Sequence, residues 1–137
     1  MSDSTNPNVR FVNPAGLAPA PGYTHAVEVT RGRMIFLSGQ VPLDEAGNMV
    51  GADDFTAQAH QTFRNIQTAL AALGADFTHV VKLNYYLINM GNLLTLREIR
   101  NQYINTAQPP ASTAVEVSRL FREGVLIEIE AVAVLPE

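Results

Sequence analysis

The strongest constraint on the fold is a run of apolar residues that recur at steps of three and four between residues 55 and 73. This spacing lays one apolar stripe along an α-helix. Asp53 or Asp54 is suited to cap the start of the helix, and Gly74 stands where a C-terminal cap belongs. Because such a helix must bury its stripe, the rest of the chain has to supply an apolar surface. The stripe consists of Phe55, Ala59, Phe63, Ile66, Leu70 and Leu73.

Segments with the alternation and β-branched content of strands surround this helix. The first two of these segments are joined by Arg31-Gly32, so they predict a β-hairpin. A second amphipathic helix is predicted over residues 93–103, where Leu93, Leu96, Ile99 and Tyr103 are spaced for one face. The predicted strands cover residues 26–30, 34–37, 80–88, 114–117 and 125–134.

The resulting order, ββαβαββ, predicts an α+β fold. One sheet with two helices on one face is the simplest arrangement of these elements. The length of 137 residues fits one domain spanning residues 1–137. Four of the eight prolines precede residue 22, so residues 1–15 are expected to form an irregular lead-in.

Composition narrows the classes of function. The net charge is −4 and the basic residues are scattered, so a nucleic-acid partner is not expected. The chain has no cysteine, and the stretch 1–11 lacks the apolar core of a signal peptide. No run reaches membrane-spanning length, so we expect a cytoplasmic protein without a membrane partner. Only 16% of residues are charged while 47% are hydrophobic, which favours an apolar surface covered by another subunit.

Two carboxylates in the last predicted strand are the first candidates for chemistry. Glu128 and Glu130 are two residues apart, so a strand points both to one face. That face is either solvated, or each glutamate pairs with an arginine such as Arg119 or Arg122. Alternatively, one glutamate lies at a subunit junction, where partial burial raises its pKa and lets it move protons near neutral pH.

Other polar residues leave alternatives open. Ser38-Gly39 ends an apolar strand, where the glycine serves either a special backbone angle or the close approach of a ligand. Residues 108–113 form a stiff loop by composition, which is either a plain connection or a pocket wall. The three histidines, His25, His60 and His79, lack metal-site spacing. Neither a metal nor a cofactor is expected.

Several segments in register resemble the reactive-intermediate deaminase family, known as RidA or YjgF-like. The likeness runs in order from about residue 16 to the end of the chain. Each motif alone is weak evidence for the family, but the whole set in register is specific. The departure from the family pattern lies in Pro110-Ala-Ser-Thr113, which usually reads Pro-Ala-Arg-Ser. The segments are Pro21–Ala26, Leu37–Leu43, Phe63–Ile66, Val80–Lys82, Pro110–Val117 and Ile127–Ala131.

The resemblance implies a chorismate-mutase-like fold, in which a mixed sheet is backed by two helices. It also implies a homotrimer whose sheets pack around a three-fold axis, with a small-molecule cleft between each pair of subunits. By match to the family motif, Glu128 corresponds to the glutamate that positions the hydrolytic water. Tyr23, Ser38 and Gly39 correspond to residues that line the cleft, and Ala114 stands where a small residue is usual.

The family's carboxylate-binding arginine is replaced by Ser112. A bidentate arginine–carboxylate contact contributes about 1.5 to 3 kcal/mol, so its loss predicts weaker binding of a small 2-imino acid. Ser112 is still able to hydrogen-bond a ligand of another shape. Arg97, in the second predicted helix, either restores a positive group in the cleft or faces solvent beside Glu98.

The sequence therefore supports three hypotheses of function. The first is imine or enamine hydrolysis, a deaminase reaction, on a substrate outside the family's usual 2-imino acids. The second is a non-catalytic trimer that binds a metabolite or serves regulation. The third is the endoribonuclease activity named for some family members, which the acidic net charge disfavours.

Overall fold

The computed structural model describes residues 6–137 of the chain. Their order is βββαβαββ, with single 3-10 turns at Phe77–His79 and Met90–Asn92. Neither helix in these residues is long and apolar enough to span a membrane. The strands are β1 Val9–Val12, β2 Ala26–Val29, β3 Arg33–Gln40, β4 Val80–Leu87, β5 Ala111–Glu116 and β6 Ile127–Leu135; the helices are α1 Phe55–Ala72 and α2 Leu93–Arg100.

Helix α1 confirms the expectation from the apolar stripe as far as Leu70, whereas Leu73 is the C-cap residue and is exposed. The side chain of Asp54 caps its start by accepting a hydrogen bond of 3.1 Å from the Ala57 N–H. Gly74 follows its end with φ of +78°, a left-handed angle that glycine adopts without strain. Phe63, Ile66 and Leu70 are fully buried against the sheet. The helix thus covers one face of the sheet and fixes which side of each strand is interior.

The main sheet has the strand order β3-β6-β4-β5. Strands β4 and β5 are parallel, and the other neighbours are antiparallel. A mixed sheet backed by two helices is therefore confirmed. Since side chains alternate along each strand, residues 83, 85, 127 and 129 point to the helices. The even-numbered neighbours 84, 86, 128 and 130 point to the opposite face, called here the open face.

The predicted hairpin between residues 26–30 and 34–37 is wrong. The irregular lead-in predicted for residues 1–15 is also wrong where it includes β1, and its residues 1–5 lie outside the described part of the chain. Strand β2 pairs with β1, whereas β3 pairs with β6. The alternating Val9 and Phe11 make β1 a strand, and Val9 packs on Val81 and Val134 of the main sheet. Burial of these side chains on uncovered sheet surface outweighs the local preference for a tight turn.

An aromatic cluster connects the two helices to the sheet. Phe63 stacks on Tyr103 with ring centroids 4.8 Å apart, and both contact Phe77. Tyr85 of β4 packs against Phe63 from the sheet side. Tyr103 lies three residues beyond the end of α2, which is shorter than the predicted span 93–103. The cluster packs α1 and the segment that follows α2 against β4.

Replacement of Gln58 by leucine is expected to lower the free energy of unfolding by about 2 to 4 kcal/mol. Gln58 is fully buried in α1 and donates hydrogen bonds to the carbonyls of Gly51 and Gly124, at 3.1 and 2.9 Å. It also accepts one of 2.8 Å from the Leu126 N–H. Leucine removes these bonds and leaves the Gly124 carbonyl and the Leu126 N–H without their side-chain partner, while the Gly51 carbonyl still accepts from the Asp54 N–H at 3.0 Å. Urea unfolding measures the loss, and Gln67→Leu on the exposed face of α1 is the control. Equal stability of the two variants would contradict the prediction.

Candidate functional site

A cavity of about 210 Å³ lies between α2 and β5. Of the residues singled out from the sequence, Tyr23, Arg97, Ser112 and Ala114 all line it. This cavity, called here the α2 cavity, is therefore where the structure brings most of the expected binding residues together. Its wall also includes Tyr85, Leu93, Leu96 and Arg100.

Strand β5 places its two residues by register with β4. Ser112 lies beside Leu83 and Ala114 beside Tyr85, so both side chains face the helix layer. The sequence predicted a loop over residues 108–113, but residues 111–113 belong to β5. Parallel pairing with β4 satisfies their backbone groups, which loop composition alone does not reveal.

The segment that carries Tyr23 is fastened to the start of β5. The Thr24 N–H donates to the carbonyl of Pro110 at 3.2 Å, and the Thr24 hydroxyl donates to that of Pro109 at 2.5 Å. Thr24 is itself buried. These bonds hold Tyr23 at the cavity, although Tyr23 is far from β5 in the sequence.

Sequence reasoning missed two residues of the cavity, Arg100 and Tyr85. Arg100 is only 6% exposed, and its guanidinium donates to Asn101 Oδ1 at 3.2 and 3.1 Å. Burial, together with the nearby Arg97, lowers the pKa of Arg100. The spacing of Leu93, Leu96 and Arg100 on one helix face was a usable indication, because it puts the arginine on the buried stripe.

Tyr85 is 2% exposed, and its hydroxyl is buried with no hydrogen-bond partner among residues 6–137. Burial raises the pKa of this phenol, so it stays protonated and able to donate. An unsatisfied buried hydroxyl is unusual in a well-packed protein. Because Tyr85 lines the cavity, its hydroxyl is a candidate donor to a ligand there.

The remaining expected residues, Glu128, Ser38 and Gly39, lie together on the open face. In β3, Leu37 pairs with Ala131 and Gln40 with Ile129, so two residues stand opposite one. Ser38 and Gly39 thus form a β-bulge. A Cβ at position 39 would overlap the Glu128 carboxylate. Glycine is needed here because the carboxylate lies directly against the backbone.

The two glutamates of β6 have different surroundings. Glu130 Oε1 accepts hydrogen bonds from Asn84 at 3.0 Å and from the Tyr86 hydroxyl at 2.5 Å. Glu128 is partly buried, and within residues 6–137 the structure gives it no hydrogen bond or ion pair. Partial burial, with the charge of Glu130, raises the pKa of Glu128.

The alternative that both glutamates pair with arginines is not observed in the described part of the chain. Its two ion pairs are Arg10 with Glu28 and His79 with Asp76. Arg122 instead lies over the Phe121 ring, 5.2 Å from the centroid. Of the two glutamates, only Glu128 is left available to a ligand.

The two groups of site residues occupy opposite faces of one sheet. Ser112 and Ala114 face the helices, while Glu128 shares the open face with Tyr86, its register partner. A small ligand in the α2 cavity therefore does not reach Glu128 of the same chain through the sheet. The open face also carries large exposed apolar side chains, namely Phe36 at 74%, Met34 at 45% and Val115 at 39%.

The histidines make local contacts. His60 bonds the Tyr103 hydroxyl at 2.7 Å, and a ring nitrogen of His25 lies 2.7 Å from the Ala18 carbonyl oxygen. His79 accepts from the Asp76 N–H at 3.0 Å. Within the described range 6–137, no group of three or more His, Asp or Glu side chains is arranged to hold a metal ion.

Comparisons with known proteins cover nearly the whole chain. The model of the family described as Endoribonuclease L-PSP matches residues 14–135. The chain is 43% identical over 112 residues to protein DfrA of Myxococcus xanthus, spanning 82% of this chain and 84% of that protein. It is 37% identical over 121 residues to the 2-iminobutanoate/2-iminopropanoate deaminase of Mus musculus, spanning 88% and 84% of the two chains.

A solved structure agrees with the fold. YyfB of Yersinia pestis, a protein of unknown function from the conserved Rid family, superposes with a TM-score of 0.82. It is 33% identical in sequence, and the match spans 93% of this chain and 99% of that one.

Proposed function

The chain belongs to the Endoribonuclease L-PSP family, which is the YjgF or RidA family, and on this premise we propose that it hydrolyses the C=N bond of a small imine. An enamine enters the same reaction after it tautomerises to the imine. We further propose that the reaction takes place in a homotrimer, in clefts formed by neighbouring copies of the chain.

The split of the site residues supports a cleft of this kind. One copy offers the α2 cavity, with Tyr23, Arg97, Ser112 and Ala114. A neighbouring copy offers Glu128 beside the Ser38-Gly39 bulge. Exposed Phe36 on the open face supports contact between copies, since patches of this type mark interaction sites.

The proposed chemistry requires one group that takes and returns a proton. Water attacks the imine carbon while the Glu128 carboxylate takes one proton from it and passes that proton to the imine nitrogen, which gives a neutral carbinolamine. Glu128 then takes the proton of the carbinolamine hydroxyl and donates it to the amino nitrogen as the C–N bond breaks, which releases ammonia and a carbonyl compound. Substrate and water enter, ammonia and ketone leave, and the glutamate is unchanged.

The proposal rests on the surroundings and the pKa of the Glu128 carboxylate. Its carboxylate has no protein partner among the described residues and has a raised pKa, whereas Glu130 is held by two hydrogen bonds. A carboxyl group whose pKa is nearer neutrality is a better proton shuttle. The deaminase from Mus musculus, at 37% identity, supports the same reaction class.

We expect the purified protein to accelerate ammonia release from 2-iminobutanoate generated in situ, and to compete with trapping of the imine by semicarbazide. A Ser112→Arg variant is assayed alongside, because Ser112 lines the α2 cavity. Activity in both proteins supports the proposal. Activity only in the arginine variant supports intact chemistry on a substrate without a carboxylate. No activity in either protein contradicts hydrolysis and favours the non-catalytic metabolite-binding trimer.

An endoribonuclease role has less support. The chain has nine basic residues against thirteen acidic ones. Binding to the phosphate backbone normally draws on a basic surface and weakens steeply with salt. Salt-sensitive binding of RNA by the purified protein would favour this role over the proposal.

A further inference from the structure

The α2 cavity is lined by two arginines, Arg97 and Arg100, and by no acidic residue from the described range 6–137. They are three residues apart on α2 and so lie on the same side of the helix. Arg100 is buried deeply, at 6% exposure, whereas Arg97 is partly exposed. The cavity therefore has a cationic group in its interior and a second one nearer to solvent.

The charge of Arg100 is not compensated within residues 6–137. Its guanidinium is bonded to the neutral amide oxygen of Asn101, and neither ion pair of these residues includes it. An arginine keeps its proton even where burial lowers its pKa. A buried cation without a counter-charge is costly, so the cavity favours an anion.

A second observation points to a ligand in the same place. The Tyr85 hydroxyl is buried and has no partner in the described chain, and Tyr85 is one of the residues that line the cavity. Ser112, which also carries a hydroxyl, is another. A carboxylate accepts about four hydrogen bonds, so it satisfies the guanidinium and one or both hydroxyls together.

We propose that Arg100 of α2 holds the carboxylate of the substrate in this chain, assisted by Arg97, in place of the arginine that the family has at position 112. This inference rests on the proposed function and names its substrate class, a 2-imino carboxylate. The positive group reaches the cavity from the helix instead of from β5. The serine at position 112 then marks a relocated anion site and not the loss of one.

The loop before β2 is shaped to leave room for this arginine. Gly22 has φ of +82°, and a Cβ at this position would overlap the Arg100 guanidinium. Any side chain at position 22 therefore displaces the guanidinium from its place. Gly16 has a similar φ of +94°, but no atom lies within 4 Å of its added Cβ. Both Gly22→Ala and Gly16→Ala strain the backbone, but only Gly22→Ala displaces the Arg100 guanidinium. Comparison of the two variants therefore separates these effects.

The test measures binding of 2-oxobutanoate, the stable keto acid product, by isothermal titration calorimetry. We expect Arg100→Gln and Gly22→Ala to weaken binding by roughly tenfold to a hundredfold, as loss of a charged hydrogen-bond partner implies. Gly16→Ala is expected to bind as the unaltered protein does. The neutral 2-oxobutanamide is expected to bind weakly to every variant. Adding Ser112→Arg to Arg100→Gln is expected to restore binding, because both positions line one cavity.

The inference is overturned if the unaltered protein does not bind 2-oxobutanoate, or binds the amide equally well. It is also overturned if Arg100→Gln binds the keto acid normally. Circular dichroism confirms folding, and rescue by Ser112→Arg excludes a damaged cavity. A different outcome overturns the proposed function alone: the unaltered protein binds 2-oxobutanoate through Arg100 but releases no ammonia from the imine.

Discussion

Replacement of Glu128 by glutamine is expected to lower the rate of imine hydrolysis by about 10²- to 10⁴-fold, which is the usual contribution of general acid–base catalysis. Glutamine has nearly the same shape and fits beside Gly39, but it does not take up a proton from water. Binding of the keto acid product is expected to change little, because Arg100 lies in the other half of the cleft. The measurement is kcat for ammonia release together with the Kd of 2-oxobutanoate.

The stability of this variant provides a second readout. The native pKa of Glu128 is raised, so the folded state holds its proton to higher pH than the unfolded state does. Stability contributed by this group therefore falls as pH rises from the unfolded pKa through the native one. Glutamine carries no charge at any pH and escapes that loss. We expect Tm at neutral pH to be equal or higher in Glu128→Gln, as often holds for catalytic groups.

Glu130→Gln is the matched control on the same face of β6. Glu130 is bonded to Asn84 and Tyr86, and its charge contributes to the raised pKa of Glu128. Its loss is expected to preserve turnover and to shift the pH–rate profile toward lower pH. Full activity of Glu128→Gln, or an equal loss in Glu130→Gln, would remove Glu128 from the catalytic role.

Replacement of Phe36 by aspartate is expected to dissociate the proposed trimer and to abolish the proposed imine hydrolysis. Phe36 is 74% exposed on the open face, and burial of a phenylalanine contributes about 1.5 to 3 kcal/mol at each contact. Aspartate removes this contribution and adds the cost of desolvating a charge. Each chain is expected to stay folded, but the two halves of the proposed cleft no longer meet. Sedimentation equilibrium and ammonia release measure the two effects.

Leu73→Asp serves as the control for this substitution. Leu73 is 52% exposed at the end of α1, on the helix layer and away from the open face. We expect this variant to keep its trimer and its turnover. A monomeric protein before any substitution, or a trimer that survives Phe36→Asp, would contradict assembly through the open face.

Mixed trimers decide whether the cleft needs two copies. Chains with Glu128→Gln lack one half of the proposed site, and chains with Arg100→Gln lack the other. When the two impaired proteins are unfolded and refolded together, some of the proposed clefts receive both intact halves. Activity above that of either variant alone is then expected. No such gain would contradict a cleft built from two copies.

The fold followed closely from local patterns. The stripe ending at Leu70 and Leu73 predicted α1 and both of its caps, because helix periodicity and capping depend on residues a few positions apart. The alternation over residues 80–88 likewise predicted β4. The pairing of β2 was predicted wrongly, since strand partners depend on which distant apolar surface is left uncovered. Here Val9 of β1 packs on Val81 and Val134 of the main sheet, and β2 pairs with β1.

The site was predicted in its parts more than in its arrangement. Resemblance to the family pointed to Tyr23, Ser112 and Ala114, and the structure places them around one cavity. Arg100 was missed, because an arginine on a helix is normally solvent-exposed and only packing shows this one to be buried. Tyr85 was also missed, because its unpartnered hydroxyl is visible only in three dimensions.

By itself the sequence determined the family, the two helices, the mixed α+β order and the presence of two carboxylates on one face of β6. These depend on short-range periodicity or on motifs in register. The tertiary structure alone decided that Glu128 is free while Glu130 is bonded, and that the α2 cavity and Glu128 lie on opposite faces of the sheet. Burial, hydrogen-bond partners and charge compensation are set by residues far apart in the chain. Only the folded arrangement brings those residues within reach of each other.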